Sequence, residues 1–139
     1  MTGSKTFTII KPVAFAKNNA GRILARITDA GFRLSALKTT MLTKEQAQRF
    51  YIVHKDRPFY DNLVAFMTSG PIVVAIIEKQ NAVEDYRKLI GKTNPAEAAE
   101  GTIRHDFGTS MTANAVHGSD SDENAEIECN FFFPAGERY

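Results

Sequence analysis

The spacing of apolar side chains predicts that the chain opens on a strand. Thr6 to Ile10, TFTII, is β-branched or aromatic at every position, and Pro12 after Lys11 predicts a loop because it has no amide proton to donate. From about Asn19 the period changes. Ile23, Leu24, Ile27 and Ala30 fall on one face of a helix that Gly31 should close. Phe32, Leu34, Ala36 or Leu37, and Met41 then alternate, as in a strand with one wet face. Thr43 and Gln46 have the spacing of a capping box, so a helix should start there and run through Phe50 and Tyr51. The DRPF stretch breaks it, and a second helical piece is predicted from Phe59 to Thr68, ended by Ser69, Gly70 and Pro71.

The run IVVAII, Ile72 to Ile77, has no alternation, which suits a central strand covered on both sides or buried at an interface. A helix is predicted over Ala82 to Ile90, stopped by Gly91. Thr93 to Asp106 contains Pro95 and Gly101 and little periodicity, so it reads as a long loop, functional or disordered. A short strand should follow near NAVHG, then a last helix from Ser119 to Phe131 with Asp122 and Glu123 where the helix dipole favours them. This order suits an α+β fold of the ferredoxin-like, split βαβ kind, a four-stranded antiparallel sheet with helices packed on one face. No linker, repeat or low-complexity tract divides the 139 residues, so a single domain over 1–139 is expected.

Composition narrows the function classes. With 43% hydrophobic and 24% charged residues and a net charge of +1, the chain lacks the cationic excess of a general nucleic-acid binder. An RNA-binding βαβ domain should show paired aromatics in a basic strand, and neither TFTII nor PIVVAII does. The longest apolar run, Pro71 to Ile77, is too short for a bilayer, so the expectation is a cytoplasmic protein with no membrane partner. Cys129 is alone, has no metal-spaced partner and should be a small buried thiol.

Chemistry concentrates in TANAVHGSDSDEN, Thr112 to Asn124. A free imidazole has a pKa near 6.5, so at neutral pH a histidine nucleophile needs no neighbouring base to make its lone pair available, and His117 is the candidate. A histidine nucleophile does need an acceptor that fixes its tautomer and supports the positive charge formed on attack. Glu128 lies eleven residues on, and a last helix folding back across the histidine would bring its carboxylate to the ring. On spacing alone, a histidine filling a turn or a half-core position is the more ordinary reading.

The string NAVHGSDS, Asn114 to Ser121, resembles the active-site signature of nucleoside diphosphate kinases. IKP at Ile10 to Pro12, KDRPF at Lys55 to Phe59, SGP at Ser69 to Pro71, TNPAEA from Thr93 and GTIRHDFG at Gly101 to Gly108 resemble further segments of that family, in its order and spacing, over nearly the full chain. The resemblance implies a magnesium-assisted, ping-pong enzyme that maintains NTP and dNTP pools. An NTP, mainly ATP, gives its γ-phosphoryl group to His117, and the phosphohistidine passes it to an NDP. It implies that Ser119 and Glu128 orient the imidazole, that Tyr51 stands beside it, and that Lys11 meets both the phosphate and the sugar. Arg87, Thr93 and Arg104 would contact phosphates, Asn114 the sugar hydroxyls, Phe59 the base by stacking, and Met111 the nucleotide nearby. Magnesium would be held mainly by the nucleotide phosphates, with no protein cage. Homo-oligomers, tetramers or hexamers built from a common dimer, are implied as well, with Thr93 to Gly101 at the subunit contacts of the hexamers.

Each assignment has an ordinary alternative. Arg87, beside Lys88 and after Glu84 and Asp85, fits a solvated ion-pair face. Tyr51 and Phe59 fit core aromatics, and Lys11 fits an edge charge at a strand end. Asp120 suits a turn or helix start, and His54 and His105 read as surface residues without a role. Phe131 to Phe133 should pack on the core or on a neighbouring subunit. Two positions depart from the family pattern. Val13 stands where aspartate is usual, which puts the hydrogen bonding after the first strand in doubt, and Met111 where valine or leucine is commoner.

Overall fold

β1 (Lys5–Ile10), β2 (Arg33–Thr40), β3 (Ile72–Glu78) and β4 (Val116–Gly118) form one sheet in the order β2-β3-β1-β4, and every neighbouring pair is antiparallel. The computed structural model describes residues 3–139. Around the sheet run α1 (Pro12–Ala16), α2 (Ala20–Asp29), α3 (Lys44–Phe50), α4 (Tyr60–Met67), α5 (Ala82–Ile90), α6 (Ile103–Phe107) and α7 (Asp122–Phe132). This is the expected α+β, split βαβ topology.

Helices cover both faces of the sheet, not one. Phe7, Ile9, Val74 and Ile76 pack against Ala47 of α3, Val64 and Met67 of α4 and Cys129 of α7. On the other face Ile10, Val73, Ala75 and Ile77 meet Ile23 and Ile27 of α2, Tyr86 and Ile90 of α5 and Ile103 of α6. The one-face expectation fails because the second face is covered as well: the threonines of β1 are buried, and Thr8 Oγ1 shares a 2.6 Å hydrogen bond with the Tyr86 hydroxyl. β3 is buried at six of its seven positions, which accounts for the absence of alternation in its sequence.

The local signals act largely as expected. The Thr43 hydroxyl accepts from the Gln46 amide at 3.1 Å and the Gln46 side chain accepts from the Thr43 amide at 2.9 Å, closing the capping box. Gly31 follows α2 at φ +96°, a conformation that glycine adopts without strain. A bulge between Leu34 and Ala36 shifts the register of β2, so that Ala36 is buried while Leu37 is exposed. Met41 lies beyond β2 and is exposed. Phe132 stacks on Phe7 with centroids 5.1 Å apart, Phe131 meets Phe50 edge-on, and Phe133 is buried. A phenylalanine fully buried in this way contributes about 1.5–3 kcal/mol. Cys129 is fully buried in the same cluster, and burial pushes its thiol up to about 11.

Three boundaries differ from expectation. Pro12 does not end the first strand in a loop. It is the first residue of α1, where its missing amide proton has no partner to lose, and Val13 is the second. The predicted loop Thr93 to Asp106 contains a 3-10 turn, Pro95–Glu97, capped by Asn94, and the start of α6, capped by the Thr102 hydroxyl. A five-residue helix is too short to show a 3.6-residue period. The last helix is capped by the Ser121 hydroxyl, which accepts from the Asn124 amide at 3.1 Å, so Ser119 is left outside it.

Candidate active site

His117 occupies the middle of β4, opposite Ile9 of β1. The chain reaches it through a tight three-residue turn. The Val116 amide donates to the Asn114 carbonyl at 3.0 Å across Ala115, which is held at φ +77°. A non-glycine residue there stores roughly 1–3 kcal/mol, and the Lys11 amide secures it by donating to the Ala115 carbonyl at 2.8 Å. Behind the histidine, Gly118 lets α5 close on bare backbone. A Cβ at that position would come within 3.0 Å of the Tyr86 ring and 3.1 Å of Ile90.

Across the imidazole stands α7. His117 Nε2 lies 2.7 Å from Glu128 Oε1, and the Ser119 hydroxyl donates to the same oxygen at 2.7 Å. Ser119 is fully buried and accepts from the Phe7 amide at 3.3 Å, which fixes it to the sheet. A carboxylate only accepts, so this contact puts the ring proton on Nε2 and leaves the lone pair on Nδ1. Phe50 meets the ring edge-on at 5.6 Å. The Tyr51 hydroxyl is buried without a hydrogen-bond partner, and burial, with the charge of Glu128, raises its phenol well above the ordinary value.

On its other side His117 lines a cleft of about 1000 Å³ with a cationic wall. Lys11 is 7% exposed; its Nζ donates to Asn114 Oδ1 at 2.8 Å and to the Thr112 carbonyl at 3.4 Å. Asn114 donates in turn to the Thr93 carbonyl at 2.9 Å. Arg104 donates from Nη1 to the Gly91 carbonyl at 3.0 Å and from Nη2 to the Val116 carbonyl at 3.1 Å, while its Nε is buried without a partner. Burial, and to a smaller extent Arg87, lowers its guanidinium below the usual range. Arg87 is exposed, and it is Lys88 rather than Arg87 that pairs with Glu84, at 3.5 Å. Among the described residues no salt bridge neutralises Lys11, Arg87 or Arg104. Charge of this sign, held in place without counter-ions, suits a ligand that brings several negative charges.

Residues 4–138 match the family model described as nucleoside diphosphate kinase. The chain belongs to that family. It is 58% identical over 139 residues, all of both chains, to the nucleoside diphosphate kinase of Flavobacterium psychrophilum. To that of Persephonella marina it is 54% identical over 133 residues, 96% of this chain and 95% of the relative. The solved nucleoside diphosphate kinase of Aquifex aeolicus superposes with a TM-score of 0.96 at 43% identity, covering 98% of this chain and 99% of that one. The Halobacterium salinarum enzyme, solved with CDP, gives 0.93 at 35% identity over 97% of this chain and 90% of that one. As a nucleoside diphosphate kinase the chain is a phosphotransferase, and its substrates are nucleotides.

Against that family assignment the expected positions can be located. Lys11, Tyr51, Arg87, Thr93, Arg104, Met111, Asn114 and His117 all line the cleft. Glu128 and Ser119 stand behind the imidazole; Glu128 opens instead to a smaller groove of about 340 Å³ on the far side of the ring. Phe59 is half exposed and does not line the cleft itself. It reaches the site through His54, whose ring is 5.4 Å away and does line it. The surface reading of His54 is therefore corrected: it is half-buried, three residues after Tyr51, and stacks near that ring at 6.5 Å. One turn of spacing from Tyr51 was the available signal. His105 is exposed, beside Asp106 at 3.0 Å, and Asp120 accepts from Asn124 at 2.6 Å at the start of α7, as a helix-start residue should. Lys88, Lys92 and Glu97 also line the cleft; the two lysines carry no motif that marks them, and Glu97 lies in the TNPAEA segment without having been assigned a role.

Proposed function

We propose that the chain moves the γ-phosphoryl group of an NTP, mainly ATP, to an NDP in two half-reactions through a phosphohistidine on His117, and so maintains NTP and dNTP pools. One observation carries the reading. Glu128, held by Ser119, occupies Nε2, which leaves Nδ1 with its lone pair free on a ring that lines the cationic cleft. In the first half-reaction Nδ1 attacks the γ-phosphorus, the bond to the β–γ bridging oxygen breaks, and the NDP leaves with that electron pair. The ring keeps its proton on Nε2, and Glu128 balances the positive charge that forms. In the second, a terminal oxygen of the incoming NDP attacks phosphorus and the P–N bond breaks, restoring the imidazole.

The other cleft residues position and neutralise. Arg87, Thr93 and Arg104 bind phosphate oxygens, Lys11 spans phosphate and sugar, Asn114 binds the sugar hydroxyls, and the Tyr51 phenol stands beside the transferred group. Phe59 offers a ring face to the base and Met111 an apolar contact. Every base has a π-face, so such a wall holds bases with little discrimination. Magnesium fits this donor set as an ion carried by the nucleotide. The cleft is lined by cations with Glu97 as its one carboxylate, and among the described residues no three His, Cys, Asp or Glu side chains cluster as a metal site. When bound, it would draw charge from the phosphate oxygens that the side chains do not reach. The whole chain, 1–139, acts as one domain, in the cytoplasm, as a homo-oligomer, tetramer or hexamer, built from dimers. No helix among the described residues is long and apolar enough to cross a membrane.

Incubation with γ-labelled ATP and magnesium should give a phosphoprotein that is acid-labile and base-stable, with label passing to added GDP or UDP. An acid-stable phosphoprotein, or transfer that persists in His117→Ala, would overturn the proposal.

A further inference from the structure

Lys11 is the buried cation of the cleft, and its hydrogen bonds raise a question of protonation state. Its Nζ has two acceptors in reach, Asn114 Oδ1 at 2.8 Å and the Thr112 carbonyl at 3.4 Å. A neutral amine has two N–H bonds to fill them and a lone pair in the position that remains. An ammonium has a third donor that finds no acceptor in the chain among the described residues. We propose that nucleotide binding takes up a proton from solvent, and that this proton lodges on the Lys11 amine. The proposal rests on the nucleotide-binding reading of the cleft.

The surroundings favour the neutral form when the cleft is empty. α6 presents Arg104 to this space, α5 presents Arg87 and Lys88, and the segment after α5 presents Lys92 with Glu97. Tyr51 and His54 line it from the end of α3, and His117 from β4, with Glu128 behind the imidazole and bonded to it. Only Glu97 in this set is an acid facing the cleft, and it is exposed to water. Burial first, and Arg104 second, lower the Lys11 ammonium to about 7. A polyphosphate reverses that balance by placing several negative charges against the amine and offering an oxygen to the third N–H. The proton is supplied by the buffer acid, which is left as its conjugate base, and the lysine gains a charge-assisted bond to phosphate.

The test is calorimetric titration with ADP at pH 8 in two buffers of different ionisation enthalpy, Tris and HEPES. At that pH the terminal phosphate of ADP is already ionised, and the His117→Gln variant removes any contribution from that ring. The heats should differ as expected for net proton uptake at pH 8, with less uptake toward pH 7 as the amine of the free protein becomes protonated. Lys11→Arg, permanently charged, should abolish the uptake, and His117→Gln should keep it. Equal heats in the two buffers, full uptake in Lys11→Arg, or none in His117→Gln would each overturn the proposal. Should Lys11→Arg fold or bind poorly, the lysine 13Cε resonances of the unsubstituted protein decide. Lys11 should titrate near pH 7 alone and above pH 9 with ADP; a titration near the ordinary lysine value without ligand would overturn it. Failure of ADP to bind would sink the nucleotide reading instead, and the same NMR titration, with tripolyphosphate as the ligand, would still decide on Lys11.

Discussion

The two ends of the cleft are built differently. At the reacting end the side chains are buried or half-buried, and all but Tyr51, whose hydroxyl has no partner, are bonded to a neighbour. Ser119 is tied to β1, Glu128 to Ser119 and His117, Lys11 to Asn114, and Arg104 to two carbonyls on separate elements. At the outer end Met111 is half exposed and Arg87 and Thr93 are open to water, while Phe59, itself half exposed, stands beside the cleft next to His54. A transition state with one geometry rewards fixed donors, since these need no reorganisation as charge moves. A set of bases differing in shape and hydrogen-bonding pattern rewards a surface that specifies little.

That contrast can be broken or sharpened by substitution. His117→Ala should remove turnover by more than ~10⁴-fold, measured as NTP formation from ATP and a second NDP, because no other imidazole combines a carboxylate partner with a place in the cleft: His105 pairs with Asp106 outside it, and His54 lines it without a carboxylate. Glu128→Ala should lower kcat by about 10²-fold with little change in KM, since the ring loses its tautomer lock while the cationic wall is untouched. An equal rise in KM would place Glu128 in binding instead. Phe59→Ala should act the other way, raising KM for ADP and GDP about tenfold while kcat stays near its original value, as expected for stacking worth ~1–3 kcal/mol. Met111→Leu should change kcat/KM by less than about twofold, because a volume-conserving apolar swap at a half-exposed wall costs little. A large loss there would mean that the outer end is more specific than its exposure suggests.

The same contrast runs through what the sequence made legible. Local signals were readable where they stood near in the chain: the Thr43–Gln46 box, the α5 boundaries at Ala82 and Ile90, and the unbroken apolar run of β3. The His117–Glu128 pair was visible only as a spacing of eleven, because the contact needs α7 to fold back over β4, and it took the family resemblance to give it weight. α1 and α6 were missed because five residues show no period, and the covering of both sheet faces went unread at the threonines of β1, which are buried, Thr8 bonded to Tyr86 and Thr6 without a partner. His54 was passed over because its place in the cleft depends on a 3-10 turn continuing past the end of α3, which brings it level with Tyr51 and Phe59.

Arg104 deserves a last consequence. Its guanidinium braces the C-terminal end of α5 to β4 through the Gly91 and Val116 carbonyls. In the phosphate-binding role proposed for Arg104, a phosphate drawing those Nη donors toward itself would exchange two internal bonds for external ones, so the net gain would be a difference. The released carbonyl at Gly91 would then loosen the start of the segment carrying Thr93. If turnover runs through a single pocket, as proposed above, the first product must depart before the second substrate arrives, and a brace that re-forms behind the departing nucleotide would help to expel it.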